Sequence, residues 1–148
     1  MVVDTSIAIK WVLYEPDSPR AEALLAQWID KHMVILAPSL LAYEVTNTLY
    51  QKARKGSIAI EEAQQALNKV LTTGLAMDSS RRDDLHLTAL KLAQDYKLPA
   101  TYDAHYLALA AYEECEFWTA DTRLWKAVKE QLPWVRCLID FDPPQSQA

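Results

Sequence analysis

Residues 33–50, MVILAPSLLAYEVTNTLY, contain the unit from which this chain is built: an apolar strand, a break and an amphipathic helix. The first part, MVILA (33–37), is short, uncharged and rich in branched aliphatic residues, which is typical of a strand buried on both faces. Pro38 ends it, and Ser39 predicts the first turn of a helix. The stretch therefore predicts one strand–helix unit of an α/β protein.

The helix in this unit carries a carboxylate at a position that needs explanation. An apolar stripe along one side of the helix is formed by Leu41, Val45 and Leu49. Glu44 lies at the edge of that stripe, where side chains are often half buried. A buried charge without a partner is unfavourable, so Glu44 must have a partner.

The same alternation of short apolar strands and amphipathic helices extends through the whole chain. Strands are predicted at MVVD (1–4), MVILA (33–37), LAMD (75–78), EFWTA (116–120) and VRCLID (135–140), and helices at 6–15, 17–32, 39–56, 59–73, 81–98, 103–114 and 121–130. Apolar strands joined by helices form a parallel sheet covered on both faces. We therefore expect a three-layer α/β/α domain over residues 1–140, with a central parallel sheet of four to five strands and a disordered tail at 141–148.

Composition limits the class of protein. The chain has 148 residues, 51% of them hydrophobic and 24% charged, which is typical of one soluble globular domain. The chain has no run of eighteen apolar residues, so we expect no membrane span. Because its first apolar run starts at Met1, we also expect no signal peptide. Cys115 and Cys137 lack zinc-site spacing and predict reduced core thiols in a cytoplasmic protein. The net charge of −5 neither requires nor excludes nucleic-acid binding.

Four acidic residues follow strands or begin helices. Asp4 ends the first strand, Asp121 follows FWTA, and Asp103 begins the helix DAHYLALAAYEE on its apolar side. Glu44 lies one turn into the helix that follows the second strand. Ligands of open parallel sheets bind at the carboxyl ends of the strands, so we expect all four carboxylates to point to one end of the sheet.

Each acid also has a structural explanation. Asp4, Asp103 and Asp121 are good helix caps, and Glu44 has Lys52 as a candidate ion-pair partner. Caps do not explain Glu44, however, and carboxylates gathered in one cavity repel one another by about 4 kcal/mol per pair at 4 Å. A shared divalent cation removes that repulsion, and an all-oxygen ligand set without Cys or His favours Mg²⁺ or Mn²⁺.

Four segments, in order, resemble the PIN-domain proteins of the VapC-like ribonuclease group: VVDTSIAIKWVLYEPDSPRA (2–21), APSLLAYEVTNTL (37–49), LPATYDAHYLALA (98–110) and FWTADTRLWKAV (117–128). The resemblance extends from Met1 to about Asp140. It implies a parallel sheet between helices and a metal-dependent endoribonuclease, commonly the toxin of a toxin–antitoxin pair and commonly a homodimer. The family's acidic positions fall on Asp4, Glu44, Asp103 and Asp121, and its hydroxyl positions on Thr5 and Thr119.

The resemblance gives each residue an expected role. Asp4 and Asp103 are expected to bind the ion directly, and Glu44 and Asp121 to complete its ligands directly or through water, one of them orienting the attacking water. Thr5 and Thr119 are either hydrogen-bond donors that fix the carboxylates or ordinary turn and cap hydroxyls. No histidine is given a catalytic role.

Other functions and surfaces remain open at this point. A receiver domain needs an acidic pair after its first strand, which VVDTS lacks, and a haloacid-dehalogenase-like phosphatase needs Asp at position 6, where the chain has Ser6. Nucleotide-binding folds need Gly-rich loops, and this chain has only two glycines. The remaining alternatives are a catalytically silent or partner-inhibited PIN-fold binding module and a PIN nuclease acting on DNA. KARKG (52–56) and RR (81–82) are either RNA contacts or surface charge, and apolar residues around Trp11 and the helix at 18–32 favour a homodimer.

Overall fold

A computed structural model describes residues 1–78 and 83–143. Its helices are α1 (Thr5–Lys10), α2 (Ser18–Asp30), α3 (Leu40–Arg54), α4 (Ile60–Thr72), α5 (Asp83–Asp95), α6 (Tyr102–Tyr112) and α7 (Thr122–Val128), and its strands are β1 (Val2–Val3), β2 (Leu36–Pro38), β3 (Ala76–Asp78), β4 (Phe117–Thr119) and β5 (Val135–Cys137). Residues 79–82 and 144–148 lie outside the described ranges, and with them the RR segment (81–82) and most of the predicted tail. The three-layer α/β/α prediction is confirmed.

All strand pairs in the sheet are parallel, and the strand order is β3-β2-β1-β4-β5. The chain starts in the middle, extends to one side through β2 and β3, and then crosses β1 to form β4 and β5. The order therefore reverses between β1 and β4, and a crevice opens there at the carboxyl ends of the strands. This crevice is where the sequence places Asp4 and Asp121.

Each face of the sheet has its own hydrophobic core. Val2 and Val3 are both fully buried and point to opposite faces, as successive strand residues must. The core containing Val2 packs against helices α3 to α7, and the core containing Val3 packs against α2, where Trp28 meets the ring of Trp118 edge-on at 5.8 Å. Phe141 packs edge-on against the same Trp118 ring, so the first residue of the predicted tail (141–148) contacts this core.

The strands are shorter than the apolar runs predicted. β2 begins at Leu36 rather than at residue 33, where it pairs with Val2 of β1, and it extends to Pro38 because it also pairs with β3. Met33 and Val34, before the strand, are exposed. Pro38 is tolerated at the last strand position because it needs no N–H there.

The first helix is also shorter than predicted. α1 ends at Lys10 rather than at residue 15, because the buried Ser18 side chain donates to the Leu13 carbonyl and accepts from the Glu15 amide, both at 2.9 Å. These two bonds turn the chain back towards α2. The described part of the chain contains no helix long and apolar enough to cross a membrane.

Candidate active site

The crevice between β1 and β4 contains a cavity of about 290 Å³. It is lined by Asp4, Thr5, Ser6, Glu44, Asn47, Thr48, Asp103, Tyr106 and Asp121. The structure thus gathers the four acids that the sequence singled out, together with Thr5, around one opening. Thr119 lies behind this lining and reaches the cavity through a hydrogen bond to Asp4.

Asp4 is both a helix cap and a buried member of the acidic group. Its Oδ1 accepts from the Ile7 amide at 3.2 Å and from Ser6 Oγ at 2.5 Å, and its Oδ2 accepts from Thr119 Oγ1. Burial raises the pKa of Asp4 to about 7, the three hydrogen bonds oppose that rise, and the charge of Asp103 adds to it. Asp4 is therefore a helix cap whose carboxylate also lines the cavity.

Ser6 and Thr119 connect the ends of β1 and β4. Ser6 Oγ accepts from the Ala120 amide at 2.7 Å, and Thr119 Oγ1 accepts from the Asp121 amide at 3.0 Å. The two hydroxyls are 3.3 Å apart, and both donate to Asp4. The sequence interpretation missed Ser6, although its position two residues after Asp4 was a usable signal. Thr119 has the position expected of a donor that fixes a carboxylate.

The partners of Glu44 are two hydroxyl groups from distant parts of the chain. Thr5 Oγ1 donates to Glu44 Oε2 at 3.0 Å, and Tyr106 Oη donates to the same oxygen. Lys52 is not the partner, because it pairs with Glu15 instead. Within the described ranges no donor reaches Glu44 Oε1, so that oxygen is free to take a ligand in the cavity.

Tyr106 lines the cavity, although the sequence interpretation did not single it out. Its side chain is 1% exposed, and its ring stacks on Phe117 with centroids 6.1 Å apart. Burial and the hydrogen bond to Glu44 raise the pKa of the Tyr106 hydroxyl far above its ordinary value. Tyr106 therefore remains a proton donor to Glu44 across the physiological range.

Asp103 and Asp121 complete the acidic group in different ways. Asp121 caps α7, because its Oδ1 accepts from the Arg123 and Leu124 amides at 2.8 and 3.3 Å. Asp103 is not a cap, since α6 begins after Thr101 and Asp103 lies inside its first turn. Burial raises the pKa of Asp103, and the charges of Asp121 and Glu44 raise it further, while Arg123 opposes them.

This donor set fits a hard divalent cation in its chemistry. The lining offers carboxylate, hydroxyl and amide oxygens without Cys or His, and the raised pKa values of Asp4 and Asp103 show that their negative charge lacks sufficient compensation. In the described parts of the chain, no three acidic, His or Cys side chains are already close enough together to hold an ion. An ion here would therefore be held by one or two of the carboxylates directly and by the others through water.

The histidine and tryptophan side chains lie elsewhere. His105 Nδ1 donates to the Thr101 carbonyl at 2.7 Å, its Nε2 lies 2.9 Å from His86 Nδ1, and it does not line the cavity. Trp11 donates to the Ala21 carbonyl at 3.1 Å, and Trp28 is buried. These two tryptophans therefore pack within the chain, and the dimer surface around Trp11 and α2 stays a prediction.

Comparison with known proteins gives two matches. The model of the PIN domain family matches residues 1–130, which include all the acids of the cavity. Ribonuclease VapC3 of Pyrobaculum aerophilum is 31% identical to this chain over 124 residues, which are 84% of the chain and 91% of the relative.

Proposed function

The chain belongs to the PIN-domain family, and from this premise we propose that it is a metal-dependent endoribonuclease that hydrolyses RNA phosphodiester bonds. It acts in the cytoplasm as the toxin of a type II toxin–antitoxin pair, and its partners are the RNA substrate, a cognate antitoxin and a second copy of itself. Mg²⁺ or Mn²⁺ is its cofactor. Its relative VapC3, which bears the name ribonuclease, supports the reaction class.

One observation supports this function above the others: Asp4, Glu44, Asp103 and Asp121 line a single cavity at the carboxyl edge of the sheet. A merely structural arrangement would separate these charges, because their mutual repulsion destabilises the fold. The helix-capping bonds of Asp4 and Asp121 do not account for Asp103, which caps nothing and whose pKa is raised by burial and by its acidic neighbours.

In the proposed mechanism Asp4 and Asp103 hold the ion, and Glu44 and Asp121 complete its surroundings directly or through water. When bound, a divalent cation makes a coordinated water more acidic and neutralises charge on the phosphate. Thr119 and Ser6 fix both oxygens of Asp4, so its carboxylate keeps one orientation. Thr5 and Tyr106 occupy Glu44 Oε2, which leaves Oε1 to orient the attacking water or accept its proton.

The dimer and antitoxin surfaces are separate parts of the proposal. Large apolar side chains are exposed on α3, at Tyr43 and Tyr50, and on α5, at Leu87 and Leu90. These helix faces, together with the region of Trp11 and α2, are the candidates for contact with a second copy or an antitoxin.

Cleavage assays on single-stranded and structured RNA, with duplex DNA alongside, test the function. We expect RNA cleavage in Mg²⁺ or Mn²⁺ that stops with EDTA and returns when the metal is restored. For variants of the four acids in the cavity, Asp30→Asn is a matched control, because Asp30 is exposed at the end of α2. Cleavage that survives thorough chelation would refute the metal mechanism, and cleavage of duplex DNA without cleavage of RNA would refute the substrate.

A further inference from the structure

A second cavity, of about 420 Å³, adjoins the acidic one. Both are lined by Thr5, Ser6, Thr48 and Asp121. The second cavity is otherwise lined by Ile9, Lys10, Glu15, Lys52 and Ala120, and is called the lysine cavity below. The two cavities are therefore neighbours, and an extended ligand such as an RNA strand can contact both.

Two lysines share one carboxylate in the lysine cavity. Lys52 Nζ donates to Glu15 Oε1 at 2.5 Å, and Lys10 Nζ lies 3.4 Å from Glu15 Oε2 and donates to the Pro16 carbonyl at 2.7 Å. Burial by itself would raise the pKa of Glu15, but the hydrogen bonds and charges of Lys52 and Lys10 hold that pKa below its ordinary value. Glu15 is thus firmly ionised and compensates one of the two ammonium charges.

One positive charge therefore remains uncompensated within the lysine–glutamate group. Asp121, which also lines the cavity, accepts from the Arg123 and Leu124 amides and lies 3.8 Å from Arg123 Nε, so its charge is partly compensated at the start of α7. The side chains of Lys10 and Lys52 are only 14% and 31% exposed, whereas lysines usually extend into solvent. An ammonium group has three N–H donors, and within the described ranges Lys52 uses one and Lys10 uses two. The cavity can therefore bind an anion that accepts hydrogen bonds.

The two helices that form the walls run from the acids towards the lysines. On α3, Glu44, Thr48 and Lys52 are spaced four residues apart and share one side, so Glu44 and Lys52 are about 12 Å apart along the axis. On α1, Ser6 and Lys10 have the same four-residue spacing. An ammonium at this separation lies beside the acidic cavity and not within it. If the scissile phosphate of an RNA strand occupies the acidic cavity, the ammonium would therefore reach a neighbouring phosphate of that strand.

We infer that the lysine cavity binds an RNA phosphate that flanks the scissile phosphate. Lys10 and Lys52 donate to it, and Glu15 acts as an internal anion that holds both ammonium groups in place when RNA is absent. This inference rests on the proposed function, because it assigns to the same reaction a binding site for its substrate. The lysines act on substrate binding and do not contact the reacting atoms.

Steady-state cleavage of a single-stranded RNA in Mn²⁺ over a series of NaCl concentrations tests the inference, with the variants Lys10→Gln, Lys52→Gln and Glu15→Gln. Lys91→Gln is the control, because Lys91 is exposed on α5 and lines neither cavity. We expect each lysine variant to raise KM by about tenfold with kcat unchanged, and to reduce the salt slope of log(kcat/KM) by about 0.7 for each phosphate that is no longer neutralised. Glu15→Gln should lower KM, since it frees both ammonium groups.

Binding of a labelled 12-nucleotide RNA in EDTA provides a readout that does not depend on cleavage, and should weaken for the lysine variants and strengthen for Glu15→Gln. Thermal melts identify variants that fold poorly, and Lys52→Arg, which keeps the charge, should retain a KM near that of the wild type. The inference is overturned if the lysine variants match Lys91→Gln, or if Glu15→Gln weakens RNA binding as they do. A wild-type chain that neither cleaves nor binds RNA would instead refute the proposed function.

Discussion

Replacing Asp4 by Asn should stabilise the protein without metal and abolish its stabilisation by metal. The change keeps the shape of the side chain and removes one charge from the acidic cavity. The hydrogen bonds can be kept: the asparagine carbonyl oxygen would still accept from Ser6 Oγ and the Ile7 amide, and its NH₂ group would donate to Thr119 Oγ1. Thr119 can then turn its own hydroxyl proton towards Ser6 Oγ, 3.3 Å away. Asn also caps helices about as well as Asp, so α1 should not suffer.

The magnitude follows from the pKa of Asp4, which is about 7 in the folded chain against an ordinary value of 3.8. The folded state holds this proton more tightly than the unfolded state, so the free energy of unfolding falls as pH rises from about 4 to about 7, and then levels off. At 1.36 kcal/mol per pH unit the full loss is roughly 4 kcal/mol, of which roughly 2.5 kcal/mol falls between pH 5 and pH 8.

Without metal, the wild type should therefore melt roughly 5–10 °C lower at pH 8 than at pH 5 because of Asp4 alone. Asp4→Asn should lack that part of the pH dependence and should melt above the wild type at pH 8. A smaller slope of the same sign should remain in the variant, because burial and acidic neighbours also raise the pKa of Asp103.

Metal should remove most of the difference between the two proteins at pH 8. A ligand at a hundred times its dissociation constant stabilises the folded state by about 2.7 kcal/mol, and the wild type should gain this in millimolar Mn²⁺ while Asp4→Asn gains little. The measurement is a set of melts at pH 5 and pH 8, in EDTA and in Mn²⁺, with Asp30→Asn as the control. The reasoning is refuted if Asp4→Asn melts below the wild type in EDTA at pH 8, or if it keeps the full metal shift.

Three further outcomes are expected. Asp103→Asn should reduce RNA cleavage by orders of magnitude and shrink the Mn²⁺-induced melting shift, whereas cleavage at the wild-type rate would remove Asp103 from the site. Tyr106→Phe should reduce cleavage and Mn²⁺ affinity by about 10- to 100-fold, because Glu44 Oε2 loses one of its two donors. A lower melting temperature with an unchanged Mn²⁺ titration would instead make Tyr106 purely structural. Light scattering should give a mass near twice 16.8 kDa, and a monomer mass at micromolar concentrations would contradict the homodimer.

The layered fold was predictable because strand and helix periodicities alternate clearly along the chain. The strand ends were not, because they depend on pairing: β2 begins where Leu36 meets Val2 of β1 and Ala76 of β3, whatever its own apolar pattern suggests. The early end of α1 has a similar origin. It is set by the buried side chain of Ser18, and no local propensity reveals that a serine several residues further along will take this role.

The acids of the candidate site were predictable from position, and their hydrogen-bond partners were not. A carboxylate at the end of a parallel strand must lie at one edge of the sheet, so chain order alone brought Asp4 and Asp121 together. Tyr106 contacts Glu44 across 62 residues of sequence, and Lys52 contacts Glu15 across 37. Tyr106 fits an apolar helix face equally well, and its hydroxyl shows its role only once α3 and α6 are placed side by side.

Asp4 explains why the distinction between a structural acid and a functional acid fails in this fold. Its Oδ1 caps α1 and its Oδ2 holds Thr119 at the end of β4, so the strand pair that forms the crevice is held by the same carboxylate that faces the cavity. The burial that makes these bonds possible also raises the pKa of Asp4 and makes its charge unfavourable. A cation in the cavity would relieve that penalty and also strengthen the contacts between the ends of β1 and β4. Metal binding and local folding should therefore be coupled where β1 and β4 end. Ser6 and Thr119 accept hydrogen bonds from the Ala120 and Asp121 amides, and hydrogen exchange of these two amides should slow in Mn²⁺ for the wild type and not for Asp4→Asn.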